Sequence, residues 1–251
     1  MKEELLNKSI ILIGPKATGK STVTSKFEEQ NDDYLSFSTD LLINMMIYRM
    51  AGREKDLVTD PDYAKNLEKY TSLFKFDELD DMLLELGKYA NNPDLSPKAK
   101  QALVQFWKAG ILELALYDLN TTKPIFVDAS ADFGAVFDLN ADEQKEVSRA
   151  LMMDSSFVLE RAKRVLKKFG NIVYLEPGST YHKNKQERAS DAANEVFLSN
   201  PDSYKAYATT TLSAEDLFLK NGNSETAILN EDKLAEIIKD LTSLKNTKSF
   251  E

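Results

Sequence analysis

The chain has 251 residues, 42% of them hydrophobic and 29% charged, with a formal net charge of −9, no cysteine and one histidine. That size suits one large α/β domain or a domain with an insertion, and leaves two full domains cramped. The composition excludes a disulfide framework, a thiolate nucleophile and a zinc–thiolate site, and no apolar run approaches the ~20 residues that span a bilayer.

In chain order, the first predicted strand is the apolar run Ser9–Ile13. It leads directly into Gly14-Pro15-Lys16-Ala17-Thr18-Gly19-Lys20-Ser21, which has the Walker A spacing. At average residue usage this pattern arises by chance in about 1% of chains of this length. The following residues, Thr22 to Phe27, have Val23 and Phe27 one helical turn apart, as a helix packed under a sheet requires. Strand, loop and helix together form a phosphate-binding device: loop N–H groups and the positive helix end converge on an anion. The backbone from Gly14 to Thr22, including Lys16, Ala17, Thr18 and Gly19, would cradle the phosphates of ATP. Lys20 would reach the β- and γ-phosphates, and the Ser21 hydroxyl would ligate Mg2+.

Four further strands are predicted over Tyr34–Ser38, Pro124–Asp128, Asn171–Leu175 and Tyr207–Leu212, the last as a half-exposed edge. Helical segments between the first four imply parallel strands joined by crossovers. Residues 41–123 read as a helical insertion. Asp40 to Ala51 is apolar on nearly every face, Asp60-Pro61 opens a helix through Phe74, and Asp77 to Tyr89 forms a third. Asn91-Asn92-Pro93-Asp94 is a loop, and Ser96-Pro97 starts the longest helix. Asn221 to Glu225 is a polar loop before an amphipathic helix, Glu231 to Leu244. The expectation is an α/β, three-layer P-loop NTPase fold, a single unit over 1–251 with a five-stranded, mainly parallel sheet.

Ligands of open α/β sheets sit outside the carboxyl ends of the strands. Two carboxylates fall there. Asp40 follows the second strand and either orients and deprotonates an acceptor hydroxyl or caps a helix, as Ser38 and Thr39 also can. Asp128 ends the third strand, where it either supports Mg2+ opposite Ser21 or begins a turn. Positive charge comes from residues 177–190, a turn leading into a basic run that suits a lid closing on nucleotide. Lys183 and Lys185 would bind the phosphates and Arg188 would stabilise the transferring group; the alternative is a solvated helix face. His182 reads as a surface residue. Arg49 and Arg53 either pair with local carboxylates or reach an anionic substrate.

The Gly14–Ser21 loop, Asp40 and the basic segment, in that order, resemble the shikimate kinase branch of small P-loop kinases. That family ends its second strand with Asp-x-Asp; Ser38-Thr39-Asp40 here keeps only the second Asp. The resemblance implies that Asp40 contacts the acceptor hydroxyl and that metal support falls on Ser21 and Asp128. The family's Gly-Gly-Gly segment is replaced by Asp128-Ala129-Ser130-Ala131-Asp132, and the insertion here is larger. The similarity spans residues 9–40 and 124–212 and stops short of the substrate pocket. Zeta-type toxin kinases, which phosphorylate a nucleotide sugar, are similar in element order.

The expected activity is therefore ATP- and Mg2+-dependent transfer of the γ-phosphate to a hydroxyl of a small molecule. A nucleotide-dependent regulatory ATPase is the alternative. The expected location is cytoplasmic, since Met1-Lys2-Glu3-Glu4 and its short apolar run do not make a signal peptide. No membrane partner is expected, and net negative charge argues against general nucleic-acid binding.

Overall fold

Five strands form the central sheet, the inner three burying nearly every side chain they carry. The five are β1 (Ile10–Ile13), β2 (Leu35–Ser38), β3 (Ile125–Asp128), β4 (Asn171–Glu176) and β5 (Thr210–Ser213). A computed structural model describes residues 3–15, 18–52, 68–129, 139–176, 208–220 and 227–243. The sheet order is β2-β3-β1-β4-β5, and every pairing is parallel. Burial on both faces explains why the central strands read as continuous apolar runs rather than alternating ones.

The strand ends differ from the predicted ones where a side chain takes over a backbone role. Ser9 precedes β1, and its hydroxyl donates to the Leu5 carbonyl and accepts the Ile125 N–H at 3.0 Å. Thr209 likewise precedes β5, its hydroxyl accepting the Ile172 N–H at 2.9 Å, so the ladder begins at Thr210. Tyr207 lies outside the described residues.

Alternate strand residues feed two separate cores. Ile10, Leu12, Phe126, Val173 and Leu175 pack with Val23 and Phe27 of α2 (Lys20–Gln30). On the same face lie α8 (Ala214–Leu217) and α9 (Glu231–Ser243). Ile11, Ile13, Ile125, Val127, Ile172 and Tyr174 face the other way. There they meet α3 (Thr39–Met50), α4 (Phe76–Ala90), α5 (Pro97–Asp118) and α7 (Ser156–Leu166). A third cluster joins the first half of α5 to α6 (Ala141–Leu151) and α7. Helix α1 (Glu3–Asn7) precedes the sheet, and β6 (Phe218–Lys220) and β7 (Ala227–Leu229) form a separate antiparallel pair.

The described parts of the insertion follow the sequence reading. Residues 68–73 are helical, α4 and α5 are present, and Ser96 caps α5 by accepting the Ala99 N–H with Pro97 in the first turn. Helix α3 departs from it: Leu42, Ile43, Met45 and Met46 are buried, whereas Ile47 and Met50 are exposed. Among the described residues no helix is long and apolar enough to cross a membrane.

Gly110 in α5 is required by its neighbour. A β-carbon there would lie 3.0 Å from the Arg161 guanidinium carbon and 3.2 Å from the Met82 sulfur. Arg161 cannot easily retreat, since its guanidinium stacks 4.2 Å over Phe106 and reaches Glu113 at 3.7 Å. Alanine normally gains about 1 kcal/mol over glycine within a helix. Gly110→Ala is expected instead to lose about 1–2 kcal/mol by overpacking, measured by urea denaturation. In an Arg161→Met background the loss should shrink, the Met82 contact remaining.

Candidate functional site

The connections that follow β1 and β3 pack helices on opposite faces of the sheet, α2 on one and α7, after α6, on the other. Adjacent strands whose continuations diverge leave a crevice at their carboxyl ends, the usual ligand position in such sheets. The Gly14 loop leaves β1 at this end of the sheet, and Asp128 closes β3 beside it.

Gly14 is needed where it stands. Its φ is +148°, and a β-carbon would sit 2.6 Å from the Leu175 carbonyl oxygen of β4, so only glycine lets the loop leave so close to the next strand. Gly19, at φ 95°, turns the chain into α2. The Thr18 hydroxyl donates to the Pro15 carbonyl at 2.9 Å and is buried. Lys20, also buried, directs its ammonium at the loop's own carbonyls, 2.8 Å from both Gly14 and Pro15. Ser21 and Thr22 stand exposed in the first turn of α2. Lys16 and Ala17 lie outside the described residues.

Asp128 is only 1% exposed. Its Oδ2 accepts the Ser21 hydroxyl at 3.0 Å, and its Oδ1 is buried without a hydrogen-bond partner among the described residues. Burial pushes its carboxyl above the usual carboxylate range, opposed by the Lys20 charge and the Ser21 hydroxyl and assisted by the nearby Asp40 charge. The Thr39 hydroxyl donates to the Asp128 carbonyl at 3.2 Å, tying the start of α3 to the end of β3.

Asp40 is placed by three segments. Ser38, its register partner being Asp128, ends β2. The buried Tyr70 phenol accepts the Ser38 N–H at 2.6 Å and donates to the Ser38 carbonyl at 3.3 Å. Burial raises the Tyr70 hydroxyl far above its ordinary value, so it is neutral and able to donate. From α5, Lys108 reaches Asp40 Oδ1 at 3.0 Å. Next to Tyr70, Lys69 pairs with Glu28 of α2 at 2.6 Å, so adjacent residues grip β2 and the helix after the loop.

Of the residues singled out from the sequence, Gly14, Thr18, Gly19, Lys20, Ser21, Asp40 and Asp128 therefore gather at one end of the sheet. Arg49 does not join them: it pairs with Asp77 and lies 5.5 Å over the Phe76 ring, nine residues and about 14 Å along α3 from Asp40. That is the local-carboxylate alternative weighed above. Arg53, His182, Lys183, Lys185 and Arg188, with the whole 177–190 segment, lie outside the described residues. Sequence reasoning missed Tyr70 and Lys108, both far from Asp40 in the chain. Nothing in their helical context marks either as a neighbour of that strand end, and Lys108 shares its stripe with the polar Gln105.

No protein-family model matches the chain, and a sequence search of curated proteins finds no match.

A buried carboxylate with raised proton affinity weakens the fold at neutral pH. The folded protein holds the Asp128 proton to higher pH than the unfolded chain does. Its contribution to stability is thus lost as pH rises above the unfolded value, about 3.9. Asp128→Asn should raise Tm at pH 7 in metal-free buffer, and the gain should shrink toward zero as the pH approaches 4.

Proposed function

We propose that the protein is an ATP- and Mg2+-dependent phosphotransferase that moves the γ-phosphate to a hydroxyl of a small molecule, on a P-loop kinase fold. One observation carries this reading. A loop of Walker A spacing ends in a serine whose hydroxyl lies 3.0 Å from a buried carboxylate at the end of the neighbouring strand. Asp40, within electrostatic range of Asp128, extends it to an acceptor.

The residues suit Mg2+. Ser21 and Asp128 offer oxygen donors, and Asp128 Oδ1 is a buried acceptor with no hydrogen-bond partner among the described residues. Magnesium keeps several waters and takes only one or two protein ligands, so Ser21 and Asp128 would hold it. When bound, the ion would neutralise charge on the β- and γ-oxygens.

The chain's own contribution is positioning and charge. Lys20 would exchange the Gly14 and Pro15 carbonyls for the β- and γ-phosphates, with the loop amides and the α2 N-terminus at the same oxygens. Asp40 would orient the acceptor hydroxyl and take its proton as the oxygen attacks phosphorus. Because the transition state is loose, these electrostatic and geometric effects supply most of the rate.

Calorimetry should detect ATP binding in the presence of Mg2+, and Lys20→Ala should lower turnover by more than about 100-fold. Asp40→Ala should keep wild-type ATP affinity while transfer falls about 10²–10⁴-fold. Labelled ATP offered with a metabolite pool should mark one hydroxyl compound and be consumed faster in its presence. Slow hydrolysis indifferent to every metabolite, with partner binding that differs between ATP and ADP, indicates the regulatory ATPase instead. No heat with either ATP or GTP overturns both.

A further inference from the structure

We propose that Lys108 is the positioning residue for Asp40, fixing the plane of its carboxylate against the acceptor hydroxyl. This deepens the phosphotransfer reading above and rests on it.

The contact joins residues 68 positions apart, with Lys108 Nζ 3.0 Å from Asp40 Oδ1. The Lys108 side chain is 20% exposed and that of Asp40 48%. Docking of α5 does not need the pair. The helix already buries Ala109, Ile111, Leu112, Ala115 and Leu116 in the core it shares with the sheet, and Ala102, Leu103 and Phe106 toward α6 and α7. A part-exposed ion pair adds about 0–1 kcal/mol, offset by the entropy of holding a lysine stem still, so stability gives it little reason to exist. The α5 surface beside it is also unusual for a packed helix. Gln105, one turn before Lys108, is 1% exposed, and its Oε1 has no hydrogen-bond partner among the described residues.

An aspartate carboxylate otherwise rotates broadly about its last bond. A general base must present its oxygen within hydrogen-bond reach of the proton it removes, and small misplacements lower the rate steeply. The Lys108 ammonium on Oδ1 is one of the partners that limit that rotation. The chemistry also balances without Lys108 giving up or taking a proton. The acceptor O–H breaks, its proton passes to Asp40, the acceptor oxygen bonds the γ-phosphorus, and the bond to the ADP oxygen breaks. Asp40 becomes neutral as negative charge moves to the phosphoester, and the Lys108 ammonium remains facing it.

The test uses the full chain. Lys108→Met, with Lys108→Gln as a second variant against misfolding, should lower kcat about 10–100-fold with the acceptor found in the screen. ATP affinity by calorimetry should stay within twofold. Lys108→Arg keeps the charge in a different shape and should fall between. Added to Asp40→Asn, Lys108→Met should cost nothing more, because its effect passes through Asp40. Turnover unchanged in Lys108→Met, or an equal further loss in the Asp40→Asn background, overturns the proposal. Failure of wild type to bind ATP defeats the phosphotransfer reading. The pair is then judged without acceptor, by the 13C shift of the Asp40 γ-carbon: a shift on Lys108→Met supports the contact, and none overturns it.

Discussion

A carboxylate buried to 1% at the seam of β1 and β3 is the constraint around which the molecule is arranged. Removing such a group from water is costly, and proteins retain it only with compensating partners or for function. Here the compensation is incomplete: Ser21 meets one oxygen, Lys20 stands within electrostatic range, and the second oxygen has no partner among the described residues. The two strands that bring this about are the most thoroughly buried in the sheet. Their packing energy offsets the unfavourable placement of Asp128. Divergence of α2 and α7 to opposite faces puts it at the end of the sheet where open α/β folds usually bind ligands.

The Asp40 side of that end depends on segments drawn from the long connection between β2 and β3. Tyr70 holds the Ser38 backbone, Thr39 holds the Asp128 carbonyl, and Lys108 holds the Asp40 side chain. Asp40 is thus fixed through its main chain and its carboxylate by elements that sequence order separates widely. Lys69, beside Tyr70, ties the same segment to α2 through Glu28. A shift of α2 would be felt at β2 through two consecutive residues.

The sheet was legible because its strands are buried on both faces and so stand out as short apolar runs between helical periods. Ser9 and Thr209 were misplaced at strand ends because a hydroxyl can replace a backbone acceptor without changing the apolar pattern. The loop, Asp40 and Asp128 were legible from position, since each follows a strand directly. Tyr70 and Lys108 were not: a tyrosine or lysine in a helix has no sequence mark that tells which strand end it will meet. The start of α6 carried a readable sign that was passed over. Asn140 and Glu143 form a reciprocal capping box, and Asn-x-x-Glu before a helical period announces it. Arg49 met the local-carboxylate alternative, for its partner Asp77 lies in the first turn of α4 and answers its charge there.

Tyr70 has a second consequence. Strand β2 is a margin of the sheet, bonded to β3 on one side only. The Ser38 N–H and carbonyl that point away from β3 would be a template on which a stray chain could add itself. A single phenol occupies both groups. The same ring that steadies the Ser38 end of β2 therefore also closes that point of the margin to an added strand.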